Sequence, residues 1–172
     1  MVLLHSPPPS FDDPMEMLTA CHEKVRHFAR LATRLAEHLS QHGADAQARD
    51  AARSVLRYFD LAAPLHHADE DEDLYPALLA LQDLTLSEHI QRLSAEHISL
   101  AALWQAVRTW LLQVQEGEAP PPPPELPTFA QRYPQHALDE EQLIYPHAQR
   151  LSEALRSELG RKMAERRQSP AP

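Results

Sequence analysis

A thirteen-residue pattern occurs twice in this chain, and it restricts the fold more than any other feature. One copy runs from Pro64 to Pro76 and the other from Pro134 to Pro146. Aligned without gaps, both read P-x-H-x-x-D-E-x-x-x-x-Y-P. Its core is a histidine with a glutamate four residues later, His66 with Glu70 and His136 with Glu140. On a helix such residues share a face and stand about one turn, roughly 5.4 Å, apart. Two such pairs on facing helices aim two imidazoles and two carboxylates at one small volume, which is how helical bundles build metal sites.

The rest of the chain fits helices. Glycine occurs three times in 172 residues, at Gly43, Gly117 and Gly160, too few for the tight turns of a sandwich or barrel. Alanine, leucine, glutamate, glutamine and arginine dominate, and the β-branched residues are sparse, a helix-forming composition. The first apolar stripe runs from near Pro14 to Gly43 through Leu18, Cys21, Val25, Phe28, Leu31, Leu35 and Leu39. The second opens near Ala44, reaches about Leu81 and is expected to kink at Pro64. The third covers about Thr85 to Gln115, with Ile90, Leu93, His97, Leu100, Leu103, Trp104, Val107 and Leu111 inward. The fourth starts near Thr128, is punctuated by Pro134 and Pro146, and is expected to continue to about Arg167.

Between the last two, residues 119–127 contain five consecutive prolines and read as a stiff extended connection, neither helix nor strand. Residues 1–12 are expected to form a loose arm and 168–172 a frayed tail. The expectation for residues 13–167 is therefore one all-α unit, an antiparallel up-down four-helix bundle.

Composition also narrows function. A net charge of −9 argues against a nucleic-acid partner. Arg161, Lys162, Arg166 and Arg167 read as cations complementing a helix C-terminus. No run of 18 apolar residues is present, so no membrane partner is expected. Cys21 is the single cysteine, so an intrachain disulfide is excluded and the cytoplasm is the expected compartment.

Two further histidines lie on apolar stripes. His22 precedes Val25 by one turn, and His97 lies between Leu93 and Leu100. Within the acidic run Asp69–Asp73, only Glu70, with Asp73 one turn on, shares the face of His66; the rest reads as a solvated surface. His67 and Asp71 are also four apart, which makes His67 the alternative to His66. Tyr75 and Tyr145 read as packing residues, with hydrogen bonding near the site as the alternative. No glutamate precedes a histidine by three, which excludes the ferritin-like ligand pattern. One cysteine also disfavours a structural zinc site.

The segments CHEKVRHF, HHADEDEDLYPAL, AEHISLAALW and YPQHALDEEQLIYP resemble the hemerythrin family, in its bacterial HHE cation-binding branch, over about residues 18–150. The resemblance implies a four-helix bundle holding a non-heme diiron centre, two iron ions with an oxo or hydroxo bridge. The implied ligands are His22, His66, Glu70, His97, His136 and Glu140, with Glu70 and Glu140 bridging and Glu141 the alternative to Glu140. One position departs from the pattern: Leu93 stands where the respiratory members have a histidine four before His97. The implied function is binding of dioxygen, nitric oxide or peroxide, for carriage, sensing or iron handling. The alternative is a diiron enzyme of peroxidase or nitric oxide reductase type.

Overall fold

A computed structural model describes residues 10–168, and among them helices, turns and short irregular connections occur, with no strand. The arm expected over residues 1–12 lies outside the described residues up to residue 9, and the expected tail does so beyond Gln168. Helix α1 spans Pro14–His42, α2 Ala46–Arg57, α3 Ala63–Ala68, α4 Tyr75–Leu79, α5 Leu84–Gln115, α6 Leu126–Leu143 and α7 Glu153–Gln168. Helix α1 packs on α2 and α6, and α5 packs on the same two. No helix among the described residues is long and apolar enough to cross a membrane.

Local chemistry sets the helix ends. Asp13, Asp45 and Asp83 cap α1, α2 and α5, each accepting from backbone N–H groups of the first turn. Gly43 ends α1 at φ 66°, a conformation that glycine adopts without strain. Pro127 falls within the first turn of α6 rather than in the extended connection, because that turn needs no proline N–H. The Trp110 indole N–H holds the connection down through the carbonyl of Pro120 at 3.2 Å.

The second apolar stripe forms a nearly continuous rod with two widened π-type turns, Tyr58–Ala62 before Pro64 and Asp69–Leu74 before Pro76. A proline lacks the N–H that closes a helical turn, and its ring crowds the carbonyl four residues back. A widened turn accommodates both effects, so the expected kink at Pro64 is a local widening of the helix. Pro134 leaves α6 continuous. The fourth stripe does break: Tyr145–Arg150 tightens to a 3₁₀ turn, Leu151 is extended, and α7 starts afresh. The single long fourth helix expected to Arg167 is therefore two helices.

Helix α7 also corrects the reading of its own cations and of the acidic run. Asp69 and Asp73 are buried. Arg166 donates to Asp69 at 2.5 Å and to Asp73 at 2.6 Å, Arg167 to Asp69 at 2.7 Å, and Lys162 to Asp73 at 3.0 Å. Asp73 thus faces α7 and not the His66 side. Gly160 lets α7 pass close to the segment before α1, since a Cβ there would stand 1.9 Å from the Phe11 carbonyl oxygen. Replacing Arg166 and Arg167 together by alanine strands Asp69 in the interior. The expected cost is about 3 kcal/mol, the low end for a broken buried pair, because burial already raises the Asp69 pKa and lets it take up a proton. Urea denaturation of the double variant checks this.

The apolar core is divided. One cluster contains Val25, Ala29, Leu100, Trp104, Phe129 and Tyr133, and the other Leu18, Leu74, Leu78, Leu86, Leu93 and Ile144. On α1 the inward residues after Val25 are Ala29 and Ala32, with Phe28 and Leu31 only partly buried against them. His22 falls between Leu18 and Val25, and His97 between Leu93 and Leu100, so both stripes change cluster at a histidine.

Candidate metal centre

Between the two apolar clusters lies a layer of buried polar side chains: His22, His66, Glu70, His97, His136 and Glu140. Helix α1 supplies His22, α3 supplies His66, the widened turn after it supplies Glu70, α5 supplies His97, and α6 supplies His136 and Glu140. The structure brings all six together. His22 and His66 meet edge to face with ring centroids 4.7 Å apart, and His97 and His136 do the same at 4.8 Å.

The two carboxylates stand between these imidazole pairs. Glu140 Oε2 lies 3.1 Å from His22 Nε2, while its Oε1 lies 3.1 Å from His136 Nε2 and 3.6 Å from His97 Nε2. Glu70 Oε1 lies 3.6 Å from His66 Nε2, and its Oε2 lies 3.6 Å from His97 Nε2. Each glutamate therefore presents one oxygen to each histidine pair. Ligand atoms of His22, His66, Glu70 and Glu140 all lie within 4.8 Å of one another, as do those of a second group, His67, His97 and His136.

Three of the histidines are held from behind by carboxylates. His22 Nδ1 lies 3.0 Å from Glu141 Oε1, His97 Nδ1 2.7 Å from Asp71 Oδ2, and His136 Nδ1 3.2 Å from Glu96 Oε2. A carboxylate at Nδ1 places a proton there and turns the Nε2 lone pair inward, the arrangement of metal-binding histidines. The inner atoms His97 Nε2, His136 Nε2, Glu70 Oε2 and Glu140 Oε2 have no directed hydrogen-bond partner. Buried polar atoms left so are costly unless something else satisfies them. Nitrogen and carboxylate donors in this mixture suit iron or manganese.

Electrostatics separate the two glutamates. Burial, then the charge of Glu140, pushes the Glu70 carboxyl well above the usual range. Burial acts on Glu140 in the same sense, but the imidazoles of His136, His22 and His97 close to its oxygens outweigh it and hold Glu140 well below that range. Burial lowers His97, yet Asp71 and Glu140 prevail and push it up to about 9. His66 lies well below the ordinary histidine value through burial and the neighbouring His22.

Several roles differ from the sequence expectation. Glu141, the alternative to Glu140, faces the back of His22 and pairs with Arg26 at 2.8 Å. Asp71, four residues after His67, backs His97 instead. Tyr75 and Tyr145 are more than packing: each repeat's tyrosine donates to the other repeat's glutamate, Tyr75 to Glu140 and Tyr145 to Glu70 at 2.5 Å. Burial raises both phenols, so both keep their protons. The sequence alone does not mark Glu96 and Glu141 as histidine partners. The available signal was adjacency, since Glu96 precedes His97 and Glu141 follows Glu140, but both partnerships cross between helices.

Residues 13–148 match the hemerythrin HHE cation binding domain family. An uncharacterized protein of Haemophilus influenzae is 33% identical over 160 residues, covering 92% of each chain. The family match ends before α7.

Proposed function

Because the chain belongs to the hemerythrin HHE cation-binding family, we propose that it holds two iron ions between Glu70 and Glu140 and binds a small ligand there: dioxygen, nitric oxide or peroxide. The observation that carries this reading is the disposition of the donors. His22, His97 and His136 are fixed from behind, and each glutamate reaches both histidine pairs. That arrangement supports His22, His66, Glu70, His97, His136 and Glu140 as the residues that would hold the metal, each glutamate facing both histidine pairs. Residues 13–167 are read as one hemerythrin-like unit, its four packed rods an antiparallel up-down bundle with α7 appended.

When bound, iron supplies electrons and an exchangeable coordination position. The chain's own residues do the rest. Leu93 and Leu100, fully buried, and Trp104 keep water from the layer. Tyr75 and Tyr145 hold protons beside the glutamates. Glu141, Asp71 and Glu96 keep the imidazoles in one tautomer. The free thiol of Cys21 suits a reducing compartment, the cytoplasm.

Protein purified anaerobically, assayed for iron and then exposed to air tests the reading. Two irons per chain and a new visible absorption on oxygenation are expected. Absence of iron, with no spectral change after ferrous reconstitution, contradicts it. Stopped-flow mixing with peroxide then separates roles: a stable spectrum supports binding, and repeated consumption of peroxide moves the reading to a diiron peroxidase.

A further inference from the structure

Asp69–Asp73 puts five acidic side chains in a row, and the widened turn sends them three ways. Glu70 faces the buried layer, Asp71 backs His97, and Asp69, Glu72 and Asp73 face α7. Asp69, beside Glu70 in the chain, is 1% exposed, and its carboxylate is held by Arg166 and Arg167. Arg166 spans the turn, reaching Glu72 at 2.9 Å as well as Asp69 and Asp73. Beyond these pairs α7 buries only Leu159, Gly160 and Met163, and it lies past the residues that match the family. Neighbouring side chains leave a helical turn in fixed, different directions, so holding Asp69 outward holds Glu70 inward. A buried carboxylate stripped of its cations turns toward water, and that movement carries the backbone of Glu70 with it.

We propose that α7 is a latch on Glu70: Arg166 and Arg167 grip Asp69 from outside the four packed rods and so hold the neighbouring glutamate where it faces both histidine pairs. The two arginines are positioning residues, acting on the centre through Asp69. The inference rests on the reading of Glu70 as a metal-holding residue and extends it to an element that the family match leaves out. Coupling of this kind is reciprocal. A docked α7 raises metal affinity, and bound metal tightens the docking of α7 by the same factor. The expected factor is at least about tenfold, the size of effect seen when a partner behind a ligand is lost.

Cobalt(II) and the full-length apoprotein test both directions of the coupling without any assay of activity. Titration followed by visible absorption gives Arg166→Ala/Arg167→Ala an affinity at least about tenfold below wild type. Val114→Ala is the reference: it opens a cavity at a fully buried position on α5, roughly 25 Å along the helix from His97, and leaves Asp69 paired. That variant loses stability but keeps the wild-type cobalt affinity. Hydrogen-exchange mass spectrometry of the wild type reads the reverse direction and needs no variant to fold. Cobalt slows exchange over α7 by at least about tenfold more than over α2, which supplies none of the six layer residues. An unchanged affinity in the double variant, an equal loss in Val114→Ala, or α7 exchange that cobalt slows no more than that of α2 overturns the latch and leaves the metal reading standing. A wild-type protein that takes up no cobalt overturns the metal reading and the latch with it.

Discussion

Glu140→Gln lowers metal affinity by more than about 100-fold while the apoprotein stays helical. Loss of a partner outside the ligand shell typically costs roughly 10–100-fold. Glu140 is fully buried and lies within 3.6 Å of histidine nitrogens from both pairs, so its change reaches both halves at once. Glutamine keeps the shape and an oxygen to accept from Tyr75, but it loses the charge that the histidines hold in its ionised form. Glu141→Gln is the control: it removes only the back support of His22 and falls within the smaller range. Competition against a chelating indicator measures both, and equal losses in the two variants would contradict the separate roles.

Metal removal produces the second large effect. A ligand present at about 1,000 times its dissociation constant stabilises the folded state by ~4 kcal/mol. At roughly 2–4 °C per kcal/mol for a chain of this size, chelation lowers Tm by about 8–16 °C. The effect depends on pH in a definite sense. In the apoprotein Glu70 is pushed up and retains a proton, and His97, pushed up to about 9, carries its charge at neutral pH. Cations need both groups deprotonated, so protons compete with metal. The Tm difference between metal-bound and apo forms therefore grows as pH rises toward about 9 and shrinks below neutrality. Differential scanning calorimetry at a fixed free-metal concentration reads it, and a difference that grows on acidification would contradict the assignment of the protons.

What could be read from the chain alone follows the range of the interactions involved. His66 with Glu70 and His136 with Glu140 are one turn apart, so helix geometry alone places each pair on one face. His22 and His97 are legible because each interrupts an apolar stripe at a fixed phase. The partners of those imidazoles are not, since Glu141 reaches His22 and Asp71 reaches His97 across helices. No spacing rule links residues so far apart in the chain. The same holds for α7, whose Arg166 and Arg167 seek Asp69 nearly a hundred residues earlier. A run of five residues, Asp69 to Asp73, looks like a solvated face until a basic helix covers it. His67 and Asp71 repeat the spacing of His66 and Glu70 one residue on, and spacing alone does not say which pair faces inward. The structure turns His66 into the buried layer and leaves His67 half-buried against the His97 ring.

Crystals of the iron-reconstituted protein, measured on either side of the iron absorption edge, test the central claim most directly. The account predicts two anomalous peaks flanked by Glu70 and Glu140, one beside His22 and His66 and the other beside His97 and His136. A layer without anomalous density, or iron located only on surface carboxylates, would contradict it.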